Sequence, residues 1–438
     1  MALLKIVSGE KPREIAAQVL GRRPTGEFIE HLLEQALAQS RLSPPDRRLC
    51  QELVYGVVRW QTTLDWLIGR KTQNRTQKAA LQDLLRLGLY QIFWLDRIPN
   101  HAAVNETVEL AKRNGFGPQS GFVNALLRGY LRELDATRNL LAELKTTQPH
   151  LGYSHPEWLV ARWQQRWGAD PSAQLLAWNN SAPKIFARVN TLKTDAGKLL
   201  TQWRDENVEY DFVRRDWVEE NLVFELKSHP PLERLTSFQQ GGFYIQDPST
   251  LLAVRELNPQ PGQAVLDLCA APGGKLSYIA QLMRNEGRLV AHDNDRKRLH
   301  LITENCNRLG VKCESITSNF QGGDAIRPLS FQKILLDAPC SNTGVMRRRV
   351  DLRWRIRPEE IQRLRAMQLE LLQQAAGLLQ RGGTLVYSTC SLEPEENRQV
   401  VNEFLAGQTD FKLEREVELR PFADNADGAY VATLGKGM

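Results

Sequence analysis

The residues best suited to chemistry in this 438-residue chain are two cysteines and an aspartate at the ends of apolar, strand-like runs. KILLDAPCSNTGV closes one such run with Asp337, then passes Ala338 and Pro339 to reach Cys340. Pro339 biases Ala338 toward extended geometry, so the strand continues outward and Cys340 falls at the sheet's rim. GTLVYSTCSLEPEEN does the same one strand later and presents Cys390. A thiolate can add to carbon 6 of a pyrimidine, which breaks the ring's conjugation and leaves carbon 5 enamine-like. Carbon 5 can then attack a sulfonium methyl. An acid near ring nitrogen 3 offsets the charge that develops. A second group must help release the product once the carbon-5 proton has left. Asp337, Cys340 and Cys390 form the candidate set for this work. A lone cysteine at a strand end is ordinarily packing. Two of them after parallel strands, beside an aspartate, point to a site.

The methyl donor needs its own cradle. AVLDLCAAPGGKLSYIA places a buried strand before a small-residue turn, Cys269, Ala270, Ala271, Pro272, Gly273, Gly274, with a helix starting near Lys275. Gly273 and Gly274 let backbone approach a ligand, and Pro272 stiffens the turn. The turn lacks both the G-x-G-x-x-G spacing and the G-K-[ST] ending, so it does not advertise phosphate binding. About 20 residues on, where a nucleotide fold offers its ribose carboxylate, RLVAHDND ends a second strand at Asp293. A nucleoside cofactor without a pyrophosphate fits this pair, and S-adenosylmethionine is the obvious one. Cys50, Cys306 and Cys313 read as structural thiols. His292 and His300 complete no recognised ligand spacing with Cys306 and Cys313, so no metal is expected.

These residues need a scaffold, and at about 150 residues per domain the chain is long enough for two or three. A composition of 42% hydrophobic and 25% charged residues excludes disorder and a disulfide scaffold. No apolar run reaches membrane-spanning length, and MALLKIVSGEKPREIAAQVL reads as neither signal nor anchor. Six cysteines without a C-x-x-C pair suggest a reducing cytoplasm. Residues 1–147 carry apolar residues at three- and four-residue spacing, with breakers at Ser43-Pro44-Pro45, Pro99-Asn100 and Gly115 to Pro118, and predict a helical bundle. Residues 148–238 interleave a helix with KIFARVNTLK, VEYDFVR and NLVFELK, a small α+β domain. Residues 239–438 alternate strands and helices, which predicts an α/β, doubly wound, mostly parallel sheet. The helix EEIQRLRAMQLELLQQAAGLLQ is expected to close at Gly382-Gly383.

LDLCAAPGGK, LLDAPCSNTGV and YSTCSLEPEEN resemble the signatures of the RNA 5-methylcytosine methyltransferases of the NOL1/NOP2/Sun group. FARVNTLK and GGFYIQDPST are similar to the segments that precede the catalytic domain there. LVYGVVRW, LLRLGLYQIFWLDRIPNHAAVNETVELAK and GFVNALLRGYLR resemble the NusB-like domain of its bacterial 16S rRNA members. The resemblance implies a NusB-like bundle, a small RNA-binding or linker domain and a Rossmann-like catalytic domain using S-adenosylmethionine. It makes Cys390 the nucleophile at carbon 6 and Cys340 the helper in product release. Asp337 would contact the cytosine ring and the cofactor. Residues Cys269 to Lys275 would wrap the cofactor, with Asp293 on its ribose. Where the family carries another aspartate facing the adenine amine, this chain has Asn319. Its amide can accept the same bond without the charge, which implies weaker cofactor binding, unless Asp324 substitutes.

RNA is the expected partner, 16S rRNA either naked or in a partly assembled subunit, and the protein is expected to act as a monomer. Arg347, Arg348, Arg349 and Arg353, with Arg355, Arg357 and Trp354, crowd the segment after Cys340 and suit phosphate contact and base stacking. A solvated loop is the plainer alternative. The net charge of +6 lies wholly within the first 150 residues. That favours a polyanionic partner there, though a solvated helical surface fits equally. Three rivals remain: the same chemistry on tRNA, a non-catalytic RNA-binding assembly factor that kept the fold, and a nucleotide-dependent oxidoreductase, which the missing dinucleotide fingerprint disfavours.

Overall fold

A computed structural model describes residues 11–23, 26–318 and 331–438. The chain divides into two compact units. One runs to Ser181 and also takes in Met346–Arg355; the other comprises Ala182–Val345 and Ile356–Met438.

The first unit is helical. Its core lies among the helices Pro12–Arg22, Pro44–Arg59, Ala79–Trp94, Asn100–Ala111 and Ser120–Arg132, through residues such as Val54, Val57, Leu84, Leu85 and Leu127. The breakers of the sequence work here as helix starts. Ser43 accepts the Asp46 N–H and Pro44 opens the helix, where a missing N–H is harmless. Pro99 directly precedes Asn100–Ala111. Val350 and Trp354, from the returning segment, pack into this core.

The second unit holds two sheets. The smaller contains β1 (Ile185–Val189), β2 (Glu209–Phe212), β3 (Val223–Ser228) and β4 (Phe243–Ile245) in the order β2-β3-β1-β4. Strand β4 joins it antiparallel to β1, although it lies beyond residue 238, where the sequence pattern suggests the third domain.

The larger sheet has seven strands. They are β5 (Ala264–Leu268), β6 (Arg288–His292), β7 (Ser315–Thr317), β8 (Phe331–Asp337), β9 (Leu379–Thr389), β10 (Phe411–Leu419) and β11 (Ala429–Lys436). Their order is β10-β11-β9-β8-β5-β6-β7, with β5 to β9 mutually parallel and β10 and β11 antiparallel. Both faces are covered. Val265, Leu335 and Val386 face one core, and Leu266, Leu268, Ile334 and Leu336 face another. That is why the parallel strands read as continuous apolar runs. The long helix ends at Leu378 rather than at the glycine pair, because β9 already begins at Leu379 and carries Gly382 and Gly383 within it. Gly382 adopts φ +72°, a left-handed conformation suited to glycine.

Candidate active site

The strand order reverses between the parallel neighbours β5 and β8: β6 and β7 lie to one side, β9 to the other. In open parallel sheets, ligands bind outside the carboxyl ends at such a switch point. The cofactor turn leaves β5 there, and Asp337 ends β8 there.

Beyond the last strand pairing, the Ala338 N–H donates to Ser388 O at 2.9 Å. The two chains then carry their cysteines outward together. The sulfurs of Cys340 and Cys390 stand 3.4 Å apart, both half-buried. The Cys390 thiol donates to Asn342 Oδ1 at 3.1 Å, and Asn342 Nδ2 donates to Cys340 O at 2.7 Å. The Gly344 N–H donates to Cys390 O at 2.9 Å. A Cβ on Gly344 would fall 2.7 Å from that oxygen, so a side chain there would push the loops apart. The Cys340 thiol is pushed well above its ordinary value. Its hydrogen bond to Cys390 is the main cause, then burial, then the charges of Cys390 and Glu396. A thiol held protonated in this way can donate to its neighbouring sulfur and favour a single thiolate on the pair.

Asp337 is fixed from both sides. Ser388 Oγ donates to its Oδ1 at 2.8 Å and Lys275 Nζ to its Oδ2 at 2.5 Å. Burial alone would lower the Lys275 ammonium, but Asp337 outweighs it and the net shift is upward.

The cofactor turn is held at several points. The Ala271 N–H donates to Asp293 Oδ2 and the Asp295 N–H to Asp293 Oδ1, both at 3.0 Å. Each oxygen keeps a lone pair for a ligand hydroxyl. Arg298 Nη2 donates to Ala271 O at 2.6 Å. Gly273 adopts φ +102°, and a Cβ on Gly274 would lie 2.9 Å from the Tyr244 ring. The Cys269 thiol is pushed up by burial and the neighbouring carboxylates, which removes it as a nucleophile. Burial also raises Cys50 and Cys313 to about 12 and Cys306 to about 11, as inert packing thiols.

Sequence reasoning passed over Asp267, in β5. It is fully buried, and neither carboxylate oxygen has a hydrogen-bond partner among the described residues. Burial pushes this carboxyl well above its usual value; Asp337 and Asp293 add to the shift and Lys275 opposes it. Three carboxylates against the Lys275 ammonium and the Arg298 guanidinium, 3.8 Å from Asp293, with the Asp267 carboxyl unpartnered, fit a cationic ligand. A nucleoside carrying a sulfonium and an ammonium is such a ligand. The signal was present: Asp267 interrupts an otherwise apolar run. Asn342 was missed because an asparagine after a strand ordinarily reads as a turn former. Arg188 was missed as well. Its buried guanidinium donates to Gln246 Oε1 at 2.5 Å, Gly274 O at 3.0 Å and Ser277 Oγ at 2.7 Å. Burial lowers it to about 10. Through these bonds β1 braces the start of the helix Gly274–Leu282.

The arginine run divides. Arg353 has no exposed surface, and its guanidinium donates to Asn180 Oδ1 at 2.7 Å, Asn179 O at 2.9 Å, Ser154 O at 3.2 Å and Arg59 O at 3.3 Å. Arg347 is 2% exposed and lies 4.0 Å above the Trp178 ring. Expected at an RNA surface, both instead fix the segment within the helical unit. Arg348 is half-buried, whereas Arg349 and Arg357 are exposed. Asn319 and Asp324 lie outside the described residues. Among the described residues no group of three His, Cys, Asp or Glu could hold a metal ion, and no helix is long and apolar enough to cross a membrane.

Three family models match the chain: NusB family over residues 10–132, a Methyltr_RsmF/B-like ferredoxin-like domain over 155–226, and 16S rRNA methyltransferase RsmB/F over 254–434. The probable ribosomal RNA small subunit methyltransferase B of Bacillus subtilis is 36% identical over 418 residues, covering 93% of this chain and 91% of that one. The ribosomal RNA small subunit methyltransferase B of Klebsiella pneumoniae is 36% identical over 90% of this chain and 91% of its own. Among solved structures, a methyltransferase homolog protein from Pyrococcus horikoshii matches with a TM-score of 0.56 at 30% identity, over 66% of this chain and 97% of that one.

Proposed function

Because this chain belongs to the RsmB/F family of 16S rRNA methyltransferases, we propose that it methylates carbon 5 of a cytosine through a covalent Cys390 adduct. The observation that carries the reading is the pair of sulfurs 3.4 Å apart at the switch point, beside an anchored Asp337.

The methyl donor is S-adenosylmethionine, which supplies an electrophilic sulfonium methyl. Residues Cys269 to Lys275 would hold it, with Asp293 suited to the ribose hydroxyls and Asp267 and Asp337 suited to its positive charge. Cys390 Sγ, as thiolate, forms a bond to carbon 6 of the cytosine, and the displaced electron pair makes carbon 5 nucleophilic. Cys340 donates a hydrogen bond to that thiolate beforehand. Asp337, oriented by Lys275 and Ser388, hydrogen-bonds the ring edge and offsets charge during addition. After carbon 5 is methylated its proton passes to solvent, the freed electron pair restores the 5,6 double bond, and the carbon 6–sulfur bond breaks to return the thiolate. Cys340 assists this second half. Adduct formation turns Cys390 into a neutral thioether. The hydrogen bond and charge of Cys390, which hold the Cys340 thiol up, are both lost at that moment. The target base must leave its stack to reach the pair, so the substrate is a loop or unfolded rRNA segment. Exposed Arg357, rather than the buried Arg347 and Arg353, meets its phosphates.

The test uses 16S rRNA, the donor and three proteins. Native enzyme should yield 5-methylcytidine on nucleoside digestion. Cys390→Ala should yield none. Cys340→Ala should accumulate a denaturant-resistant protein–RNA adduct on ordinary RNA. Normal methylation by both variants would overturn the assignment of roles.

A further inference from the structure

The two reactive cysteines stand on separate loops, after β8 and after β9, and something must hold those loops in step. The last strand bond is Ala338 to Ser388, and beyond it the backbone offers the Gly344–Cys390 bond. The residue following each cysteine is a serine, and both serines reach one carboxylate. Glu396 Oε1 accepts the Ser341 N–H at 2.8 Å and Gln368 Nε2 at 3.0 Å. Its Oε2 accepts Ser391 Oγ at 2.5 Å and the Ser341 hydroxyl. Glu396 has no exposed surface. No Lys, Arg or His among the described residues forms an ion pair with it.

We propose that Glu396 is a positioning residue whose carboxylate ties the two cysteine loops together and sets the separation of the reactive sulfurs. This rests on the catalytic reading of Cys340 and Cys390 given above. A buried carboxylate without a cation is a costly group. Four donors converge on it, which an acceptor-only group needs and a neutral amide could satisfy only in part. The two hydroxyls lie 3.0 Å apart, so they could bond each other alone, but that bond would leave the Ser341 N–H without this acceptor and Gln368 held only through Pro339 O. The surroundings are braced in turn: Tyr387 OH donates to Glu396 O at 2.6 Å, and Asn397 Nδ2 to Ser391 O at 2.8 Å. The charge of Glu396 also helps hold the Cys340 thiol protonated, which suits a donor waiting beside the nucleophile.

The test is Glu396→Gln in the full-length protein. The amide keeps the size and the Oε1 acceptor but replaces Oε2 by a donor, so the serine hydroxyls must turn. Burial raises the native carboxyl, so an uncharged replacement is compatible with folding. Phenylarsine oxide reads the geometry without RNA or cofactor. Its arsenic bonds both sulfurs, the two thiol protons leave with the oxygen as water, and no oxidation state changes. Native protein should bind it tightly and Cys340→Ala at least about tenfold more weakly, and Glu396→Gln should resemble Cys340→Ala. In methylation, Glu396→Gln should lower kcat by about ten- to hundredfold with KM for RNA unchanged, since small misplacements of reacting groups cost that much. Ser341→Ala, which keeps the backbone donor, should fall between native and Glu396→Gln in both assays. Unchanged arsenical binding in Glu396→Gln overturns the proposal, whatever happens to kcat. Weakened arsenical binding in a protein whose native form makes no 5-methylcytidine would leave the positioning role standing and overturn the catalytic reading instead.

Discussion

Lys275 bonds Asp337 Oδ2 and opposes the upward shift of Asp267, while Arg298 stands 3.8 Å from Asp293. Lys275→Met removes the cation that lowers the proton affinity of Asp267. The Asp267 carboxyl, already raised by burial and by Asp337 and Asp293, then binds its proton more tightly. If its ionisation is needed for cofactor binding, the acid limb of the pH profile of kcat/KM should move to higher pH than in the native enzyme. An unmoved limb would mean that Asp267 does not govern activity in that range. The cysteines, Asp337 and the glycine turn were legible in the sequence because strand ends and small-residue turns leave local marks. Asp267 and Glu396 left weaker ones. Their importance lies in what converges on them from other strands, and a single chain segment does not display that.

Among elements, Met346–Arg355 is where composition misled. Its five arginines, with Arg357 beyond, read as an RNA surface, yet Arg353 is enclosed by carbonyl oxygens, and Asp351 pairs with Arg23 at 2.9 Å and with Arg355. Charge density does not reveal burial when the partners are backbone oxygens far away in sequence. Arg353→Met should leave those acceptors without a donor and lower stability by about 2–4 kcal/mol in chemical denaturation. Arg349→Met, at an exposed position, should change it by less than about 0.5 kcal/mol. Equal losses would show that Arg353 is not structural. His155 lies in the same neighbourhood, 1% exposed, with its pKa held well below 6.5 by burial and by Arg353. The unfolded chain takes up that proton below about pH 6.5, and the folded one does not. Stability of the helical unit should thus be full above that pH and fall by up to about 1.4 kcal/mol per unit below it. His155→Phe should flatten the slope, as followed by urea denaturation between pH 7.5 and 5. Strands β10 and β11 were not singled out in the sequence for a different reason. Arg415 interrupts the apolar positions of FKLEREVEL, where a register shift between Leu413 and Arg415 leaves Leu413 39% exposed, and β11 is buried at all but its last residue, so it shows no alternation.

At the scale of the whole molecule, the positive excess lies within the first 150 residues and the reactive sulfurs at 340 and 390. On the proposed function, much of the affinity and the chemistry fall on different stretches of chain. RNA affinity should fall at least about tenfold between 50 and 200 mM salt, because bound phosphates release counterions. The rate of a bound single turnover should change little over the same range. The alternation of strands and helices made the doubly wound sheet legible, while the membership of β4 in the smaller sheet rested on pairing with β1, which no local period reveals. The central claim is that the sulfur of Cys390, and not that of Cys340, bonds the base. RNA carrying 5-fluorocytosine should trap that bond, since fluorine cannot leave as the carbon-5 proton does. Tandem mass spectrometry of the digested adduct should find the modified cytosine on Cys390. Finding it on Cys340, or finding no adduct while the same protein methylates unmodified RNA, would contradict the account.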